Sequence, residues 1–296
     1  MQYHEVAIIG AGPAGLATAL QLKRYAIHPL LFECNRMGGL LWNANLVENY
    51  PGFSGGIPGS QLVERFIEQV KDANIEVIGE RVNKLSFQHE LFQVETDQQV
   101  YLTGMVVIAS GTKPKLVADF PIQTGMSDRV FYEVFPILQL KQCRVVIIGA
   151  GDAAFDYALS LAPENEVVIL NRGEKAKCLP LLWERVSALP GIIYHPETRL
   201  SGLYQSQADK IILECKQANG NLTLQADYLL YATGREPQLD FISTIEQSEV
   251  ERLENDGRLY FAGDVKNGIY RQTAIAVGDG IMTAMKIHNH LRGTNP

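Results

Sequence analysis

Short apolar runs alternate with glycine-rich turns and helical patterns along most of the chain. The first run, residues 6–9, leads through Gly-Ala-Gly-Pro-Ala-Gly into a helical pattern, and residues 28–32 form the next predicted strand. Further strand-sized apolar runs occur at residues 105–109, 145–148, 167–170 and 228–231, and an apolar helix is predicted at about 274–287. Strands that alternate with helices are typical of parallel sheets, so we predict an α/β fold.

The first of these patterns occurs twice. EVAIIGAGPAGLATAL (residues 5–20) and RVVIIGAGDAAFDYAL (residues 144–159) are identical at nine of sixteen positions. Both copies also close alike, because MVVIASG ends the first at Gly111 and YLLYATG ends the second at Gly234. The whole unit is therefore repeated, which predicts two similar domains in one chain.

The tail completes the first of these domains in our prediction. Residues 259–264 (LYFAGD) form a strand that delivers a carboxylate, and the apolar helix follows. Residues 1–113 lack a final strand and helix that the tail would supply. We therefore predict a discontinuous first domain of residues 1–113 and 245–296 and a second domain of residues 114–244, both Rossmann-like with three ββα layers.

The first glycine turn has the sequence context of a dinucleotide site. Gly10, Gly12 and Gly15 follow a strand and open a helix, and the acidic Glu33 lies roughly 20 positions further on, after the next strand. Such glycines allow a pyrophosphate to approach the helix N-terminus, and the acid binds ribose hydroxyls. The second copy predicts another dinucleotide site at Gly151, Asp152 and Ala153.

Composition narrows the class of protein. The 296 residues are 46% hydrophobic and 20% charged, and the net charge is −7 with no run of basic residues, so we expect no nucleic-acid partner. No apolar run approaches a membrane span, and no export signal precedes the first strand. We expect a cytoplasmic protein with no membrane partner.

The cysteines and histidines predict no metal site. Four cysteines are widely scattered, without a Cys-x-x-Cys motif or a Cys/His cluster at metal-ligand spacing, so most are expected to pack in the core. The six histidines are also scattered, and we identify no catalytic residue.

Several motifs together resemble the two-dinucleotide-binding-domain flavoproteins, and more narrowly the low-molecular-weight thioredoxin reductase family. They are GAGPAGLATA, ECNRMGGLLWNANLVENYPGFSGGIPG (residues 33–59), ASG, ATG, FAGD and YRQTAIAVGDG (residues 270–280). The resemblance implies FAD on the first domain, with the pyrophosphate at the glycine turn and the flavin ring at the start of the last helix. The residues implied to contact FAD are Gly10, Gly12, Pro13, Ala14, Gly15, Glu33, Gly39, Leu40, Asn49, Val82, Gly111, Gly263, Asp264, Arg271, Gln272 and Thr273.

The chain departs from that family at the redox motif. The family carries Cys-x-x-Cys shortly before the second glycine turn, but Tyr132 and Phe135 occupy the corresponding positions here. Dithiol exchange by the family's usual route is therefore not expected. The stretch before the turn, followed by GDAAFDYAL, looks like the thioredoxin-reductase-type ferredoxin–NADP reductases. Tyr132 and Phe135 either cover a flavin face or pack in the core.

The second site favours NADPH over NADH. NADH sites usually end their second strand in an acid, whereas this strand ends in Asn171 and Arg172, with Lys177 following. By resemblance to the family's His-Arg-Arg motif, Arg172 and Lys177 would bind a 2′-phosphate and Gly173 replaces the second arginine. Asp152 would repel a pyrophosphate, so we expect it to cap the helix or to point away; a second flavin stays an alternative occupant. The expected contacts are Gly151, Asp152, Ala153, Arg172, Lys177 and Gly234.

These features predict an FAD-dependent NAD(P)H oxidoreductase that passes a hydride from NADPH to FAD and electrons to an unidentified acceptor. The acceptor is a ferredoxin- or flavodoxin-like protein or a small molecule. Two alternatives stay open: a thioredoxin reductase-like disulfide reductase that uses other thiols, such as Cys34, and a flavin-binding redox sensor or subunit without turnover. The resemblance also implies a homodimer.

Overall fold

The computed structural model describes residues 3–117, 120, 125–206 and 210–293. The chain forms two compact units, the first of Met1–Trp42, Val47–Lys113 and Glu236–Pro296, and the second of Asn43–Leu46 and Pro114–Arg235. The tail thus joins the first unit from residue 236 and not from residue 245. The reason is local, since the Ser110 hydroxyl donates to the Gln238 carbonyl (2.6 Å) and Lys113 pairs with Asp240 (2.6 Å).

Helices and strands are numbered in chain order. The helices are α1 Pro13–Arg24, α2 Gly59–Asp72, α3 Asp152–Leu161, α4 Pro180–Ser187, α5 Gln247–Asn255 and α6 Thr273–Leu291. The strands are β1 Tyr3–Ile9, β2 Leu30–Phe32, β3 Val77–Ile78, β4 Val82–Gln88, β5 Leu91–Thr96, β6 Val100–Ile108, β7 Thr112–Pro114, β8 Val130–Phe131, β9 Arg144–Ile148, β10 Glu166–Leu170, β11 Ile192–His195, β12 Arg199–Gln205, β13 Ile211–Gln217, β14 Gly220–Ala226, β15 Tyr228–Tyr231, β16 Arg235–Pro237 and β17 Leu259–Phe261. Short 3-10 turns lie at Gly39–Asn43, Phe135–Ile137, Asp240–Ile242 and Gly263–Val265.

The first unit is built on a sheet in the order β3-β2-β1-β6-β5-β4, with β17 parallel to β6. Residues of β1 alternate between two cores, as the period of two in a strand requires. Val6 and Ile8 pack with α1 and α6, whereas Ala7 and Ile9 pack with β4, β5 and α5. The parallel part of the sheet around β1 therefore has α1 and α6 on one face and the antiparallel strands β4 and β5, with α5, on the other, and the prediction of a three-layer α/β domain is confirmed.

The last helix, α6, belongs to this first unit. A Cβ built at Gly280 of α6 would lie 2.2 Å from the Ala14 carbonyl oxygen of α1, so only glycine permits the close contact of the two helices. The buried Thr18 hydroxyl of α1 lies 2.8 Å from the Ala14 carbonyl oxygen and 3.2 Å from that of Gly280. This packing and the β17–β6 pairing place the tail in the first unit with residues of α1 and β6.

The second unit repeats the plan with a parallel sheet in the order β11-β10-β9-β15-β8. Val145 and Ile147 of β9 pack with α3, and Val146 packs with the separate antiparallel sheet β12-β13-β14. Residues 43–46 also belong to this unit, because Asn45 donates its N–H to Asp156 of α3 (2.9 Å). Within the described part of the chain, no helix is long and apolar enough to cross a membrane.

Candidate functional site

The first glycine turn packs tightly at its two ends and is open in the middle. Gly10 has φ of +103°, and a Cβ there would lie 2.5 Å from the Ala109 carbonyl oxygen. A Cβ at Gly15 would lie 1.9 Å from the Gly10 carbonyl oxygen. By contrast, no described heavy atom beyond its chain neighbours lies within 4 Å of a Cβ built at Gly12. The backbone at Gly12 can thus be approached by a pyrophosphate at the N-terminus of α1, which Pro13 and Ala14 begin.

The carboxylate of Glu33 is held at this turn by two backbone hydrogen bonds. One oxygen accepts the N–H of Ala11 (2.9 Å), and the other accepts the N–H of Asn35 (2.9 Å). Each carboxylate oxygen has a second lone pair, which leaves acceptor capacity for ribose hydroxyls. The Gly38 N–H donates to the Ala11 carbonyl (2.8 Å), and a Cβ at Gly39 would lie 3.4 Å from the Gly12 Cα, so Gly39 is beside the turn.

A loop from the tail lies against the start of α1. Gly263 has φ of +79°, and a Cβ there would lie 2.8 Å from the Ala14 Cβ. Asp279 of α6 holds this loop, because its carboxylate accepts the Gly263 N–H (3.1 Å) and the Asn267 amide (2.6 Å) and pairs with Lys266 (3.3 Å). The loop carries Asp264 beside the turn. Asp279 was missed by the sequence analysis. The feature that could have identified it is a carboxylate within the apolar helix that follows the FAGD motif.

The remaining predicted FAD contacts are spread around the same unit. The Asn49 amide donates to Gln272 (2.8 Å), the residue before α6, so Asn49, Gln272 and Thr273 lie together. An open cavity of about 520 Å³ is lined by residues 48–54 around Asn49. Other positions lie on neighbouring elements: Leu40 in the 3-10 turn after β2, Val82 at the start of β4, Gly111 just after β6, and Arg271 just before α6.

The second glycine turn reproduces the first. Gly149 has φ of +139°, and a Cβ there would lie 2.3 Å from the Ala232 carbonyl oxygen. A Cβ at Gly151 would meet no described atom within 4 Å apart from its chain neighbours. Ala153 is exposed in the first turn of α3, and Gly234, with φ of +115°, follows β15. The middle of this turn also has room for a pyrophosphate.

Asp152 does not cap α3 and bonds instead to a neighbouring loop. It is the first residue of α3, and its carboxylate accepts the N–H of Leu179 (2.7 Å), the residue that precedes α4. The expected cap on α3 is therefore not observed. The carboxylate instead ties the glycine turn to the loop between β10 and α4.

Arg172 and Lys177 lie on that loop with exposed side chains. The Lys177 N–H donates to the Ala150 carbonyl (2.8 Å), and the backbones of Lys177 and Gly151 form an isolated parallel β-bridge. Arg172 follows the carboxyl end of β10, the strand next to β9 in the sheet. The structure thus brings Lys177 beside the turn and Arg172 to the same end of the sheet.

Tyr132 and Phe135, predicted to lie at the positions of the family's cysteines, have packing and backbone roles. The Tyr132 ring stacks on Tyr231 (centroids 5.4 Å apart) in the core of the second unit. Burial raises the pKa of Tyr231 to about 12, and an electrostatic effect of Tyr132 adds to this rise. The Phe135 N–H donates to the Asn43 side chain (2.9 Å). Tyr132 therefore packs against this core, and whether Tyr132 and Phe135 also cover a flavin face stays a prediction.

The pKa values of the four thiols are raised in this structure. Burial raises the pKa of Cys34, with the Glu33 carboxylate adding to the effect, and burial also raises the pKa values of Cys143 and Cys178. Cys215 is buried, which raises its pKa to about 11. A raised pKa lowers the thiolate fraction that thiol exchange requires. Among the described residues, no group of three or more His, Cys, Asp or Glu side chains could hold a metal.

Comparison with known families matches residues 4–280 to the family described as pyridine nucleotide-disulphide oxidoreductase. The chain belongs to this family. Thioredoxin reductase 2 of Arabidopsis thaliana is 28% identical over 99% of this chain and 84% of its own length, and thioredoxin reductase of Borreliella burgdorferi is 26% identical over 97% and 92%. The structure of Lactococcus lactis thioredoxin reductase has a similar fold, with a TM-score of 0.88 at 23% identity, covering 98% of this chain and 99% of that one.

Family membership defines the type of enzyme. The chain is a thioredoxin reductase-like, FAD-dependent NAD(P)H oxidoreductase, as the sequence predicted. The two glycine turns fit this family, because a pyridine nucleotide oxidoreductase with a bound flavin needs two dinucleotide sites. The FAD contacts of the first unit and the nucleotide contacts of the second stay predictions at the level of single residues.

Proposed function

We propose that this enzyme transfers a hydride from NADPH to FAD and passes the electrons to an acceptor without a redox-active cysteine pair. Bound FAD supplies the redox chemistry, because it accepts a hydride and can release electrons one or two at a time. The acceptor is a ferredoxin- or flavodoxin-like protein or a small molecule. NADH is the less favoured donor.

The observation that carries the proposal is the pair of glycine turns. In each, the outer glycine is packed against a neighbouring carbonyl, while the middle glycine, Gly12 or Gly151, faces open space among the described residues. A Cβ at the middle position would occupy the space that a pyrophosphate needs, whereas the outer positions serve the fold. One turn of this kind for each of two dinucleotides is what the reaction requires.

The chain's own residues in the first unit would bind and orient FAD. The N–H groups at the start of α1 would bind the pyrophosphate, and Glu33 would accept from the ribose. Asp264, on the loop that Asp279 holds, would bind the ribityl and phosphate region. Arg271, Gln272 and Thr273 would line the flavin ring at the start of α6, where the positive end of the helix dipole favours electron-rich groups.

Charge supports NADPH at the second site. The loop after β10 presents Arg172 and Lys177 as exposed cations, and it carries the neutral Asn171 where NADH sites have an acid. A guanidinium binds a phosphate through two parallel hydrogen bonds, and a lysine ammonium adds a further positive charge. A 2′-phosphate would therefore be attracted here and not repelled.

Electron transfer without a dithiol is supported by the sequence and by the thiol environments. Tyr132 and Phe135 stand where the family's cysteines would be, and all four cysteines have raised pKa values. The alternative is a disulfide reductase like the thioredoxin reductases named above, working through an external thiol. The third possibility, a flavin-binding sensor without turnover, is separated from both by measuring steady-state NADPH oxidation.

An acceptor panel tests the proposal. The purified enzyme is given NADPH with ferricyanide, a ferredoxin, a flavodoxin, or thioredoxin plus a chromogenic disulfide, and NADPH oxidation is followed at 340 nm. We expect turnover with one-electron acceptors and none that depends on thioredoxin. Thioredoxin-dependent reduction of the disulfide would contradict the proposal, and no turnover with any acceptor would favour the sensor.

We also propose that the enzyme is a homodimer, with α6 in the interface. Ile275, Met282 and Met285 of α6 are 40%, 45% and 49% exposed, and positions three or seven apart share a helix face. Exposed apolar stripes of this kind often mark interfaces. Light scattering after gel filtration should give the mass of two chains, and Met285→Glu should shift it towards one. A wild-type mass of one chain would contradict the dimer.

A further inference from the structure

The loop of residues 171–179, between β10 and α4, is fastened at both of its ends. It carries the exposed cations Arg172, Lys175 and Lys177. An exposed loop of this length is ordinarily mobile, and a mobile cation contributes little to selective binding. What fastens the loop therefore decides how well its cations can select a nucleotide.

Asn171 fastens the first half of the loop. Its side chain is buried, and its Oδ1 accepts the Gly173 N–H (2.9 Å). Its Nδ2 donates to the Lys175 carbonyl (3.0 Å) and to the Tyr194 hydroxyl oxygen (2.8 Å). Two of these hydrogen bonds close residues 171–175 into a compact turn, and the third joins that turn to Tyr194.

Tyr194 anchors that turn to the core of the second unit. Its ring packs edge-on against Trp183 of α4 (centroids 5.1 Å apart) and against Phe155 of α3 (5.9 Å). The ring position is therefore set by packing, and in the described part of the chain the ring is joined to the Asn171 amide through its hydroxyl. Deleting that hydroxyl should loosen the loop without disturbing the core.

The second half of the loop is fastened to the glycine turn. Lys177 donates its N–H to the Ala150 carbonyl (2.8 Å), and Leu179 donates its N–H to Asp152 (2.7 Å). These two hydrogen bonds keep the second half of the loop close to the glycine turn. If a pyrophosphate lies at Gly151, the loop is placed to contact the adenosine side of the same molecule.

We propose that Asn171 and Tyr194 are positioning residues that select the 2′-phosphate of NADPH by holding the cationic loop in one conformation. The Asn171 amide is used by the loop and by Tyr194, so its proposed role is to hold the loop. The inference rests on the proposed function, since it requires NADPH at the second site. Arg172 and Lys177 would bind the phosphate, and Asn171 and Tyr194 would determine nucleotide specificity by positioning them.

The charge of residue 171 matters as well as its bonds. Asn171→Asp keeps the acceptor for the Gly173 N–H, but it places a carboxylate oxygen against the Lys175 carbonyl oxygen, where two acceptors repel. It also brings back the acid that accepts from the ribose in NADH sites and repels a 2′-phosphate. This substitution should therefore remove the preference for NADPH in two ways.

The test compares 2′,5′-ADP with 5′-AMP, which differ in the 2′-phosphate, by calorimetric titration of the purified holoenzyme. We expect wild type to bind 2′,5′-ADP at least ~10-fold more tightly than 5′-AMP, as one charge-assisted contact would give. Tyr194→Phe should weaken 2′,5′-ADP about 3- to 10-fold, the loss of one hydrogen bond, and leave 5′-AMP unchanged. Asn171→Asp should abolish the difference, and Asn221→Asp, the same change on exposed β14, should have no effect.

Steady-state kinetics give an independent measurement. In Tyr194→Phe the KM for NADPH should rise while the KM for NADH and kcat stay the same, a separation that a general loss of structure would not produce. Equal weakening of both probes by Tyr194→Phe, or no change in either, would overturn the inference while leaving NADPH as the donor. Equal binding of both probes by wild type would overturn the inference and the NADPH preference together.

Discussion

Replacing Gly12 with alanine separates the packing of the protein from the space that a dinucleotide needs. Gly12 has φ of −74° and ψ of −178°, an extended conformation that alanine adopts without strain. A Cβ there would meet no atom within 4 Å in the described part of the chain, other than its chain neighbours. Gly15, three residues on, is the matched control, because its Cβ would lie 1.9 Å from the Gly10 carbonyl oxygen.

These two geometries predict opposite effects on the apoprotein. Gly12→Ala should stabilise it by about 0.4–1 kcal/mol, because alanine has fewer unfolded conformations to lose. That corresponds to a rise in Tm of roughly 1–4 °C for a domain of this size. Gly15→Ala forces a backbone shift, which costs about 1–3 kcal/mol and lowers Tm.

Binding of FAD should respond the other way at Gly12. A methyl group in the pyrophosphate position should cost about 1–3 kcal/mol of overpacking, so FAD should bind roughly 5- to 150-fold more weakly. The assay is thermal unfolding of the flavin-free protein together with FAD titration followed by flavin fluorescence. Unchanged FAD affinity in Gly12→Ala, or destabilisation of its apoprotein as large as that of Gly15→Ala, would refute the assignment of this turn.

Further predictions concern the second site, the tail loop, the thiols and pH. Gly173→Arg should lower the KM for NADPH several-fold in steady-state assays, because a Cβ there meets Asn171 at an ordinary 3.5 Å and the arginine adds a cation. Asp279→Asn should weaken FAD about 10-fold in the same titration, since the loop at Gly263 loses a charged acceptor. Serine at all four cysteines should leave turnover with one-electron acceptors unchanged. Burial acts to raise the pKa of Asp227, but the hydrogen bond from the Arg144 N–H and the ion pair with Lys210 outweigh it, so the pKa is lowered. The contribution of Asp227 to the free energy of unfolding is therefore present at neutral pH and is lost as pH falls below the ordinary value of 3.8. Asp227→Asn should therefore lower the free energy of unfolding by about 1 kcal/mol at pH 7, with a difference from wild type that shrinks in denaturant titrations as pH falls below 3.8.

The repeat made the fold predictable, because each glycine turn is readable from a few adjacent residues. The strand before each turn and the helix after it indicate parallel pairing, which β1 and β17 make with β6, and the missing strand and helix of residues 1–113 point to the tail. The residue at which the tail begins was harder to predict. Residues 236–244 join the first unit through Ser110 and Lys113, and such long-range side-chain bonds leave no local pattern.

The site was predictable where the backbone itself forms it, and less so where side chains do. Gly12 and Gly151 could be identified from spacing, but the use of Asp152 could not, because its partner Leu179 lies in a different element. Asp279 and Asn171 were missed as organising residues for the same reason: each acts by holding a loop. Their hydrogen bonds depend on how helices and strands are packed, which the sequence pattern does not specify.

The central claim, that one dinucleotide site delivers electrons to the other, is tested most directly by anaerobic titration of the bound flavin. The purified enzyme is titrated with NADPH and, separately, with NADH, while the flavin absorbance near 450 nm is recorded. The account predicts bleaching by NADPH at lower concentration than by NADH. Absence of bleaching by either nucleotide would contradict it, because the second turn would then hold something other than a pyridine nucleotide that reduces FAD.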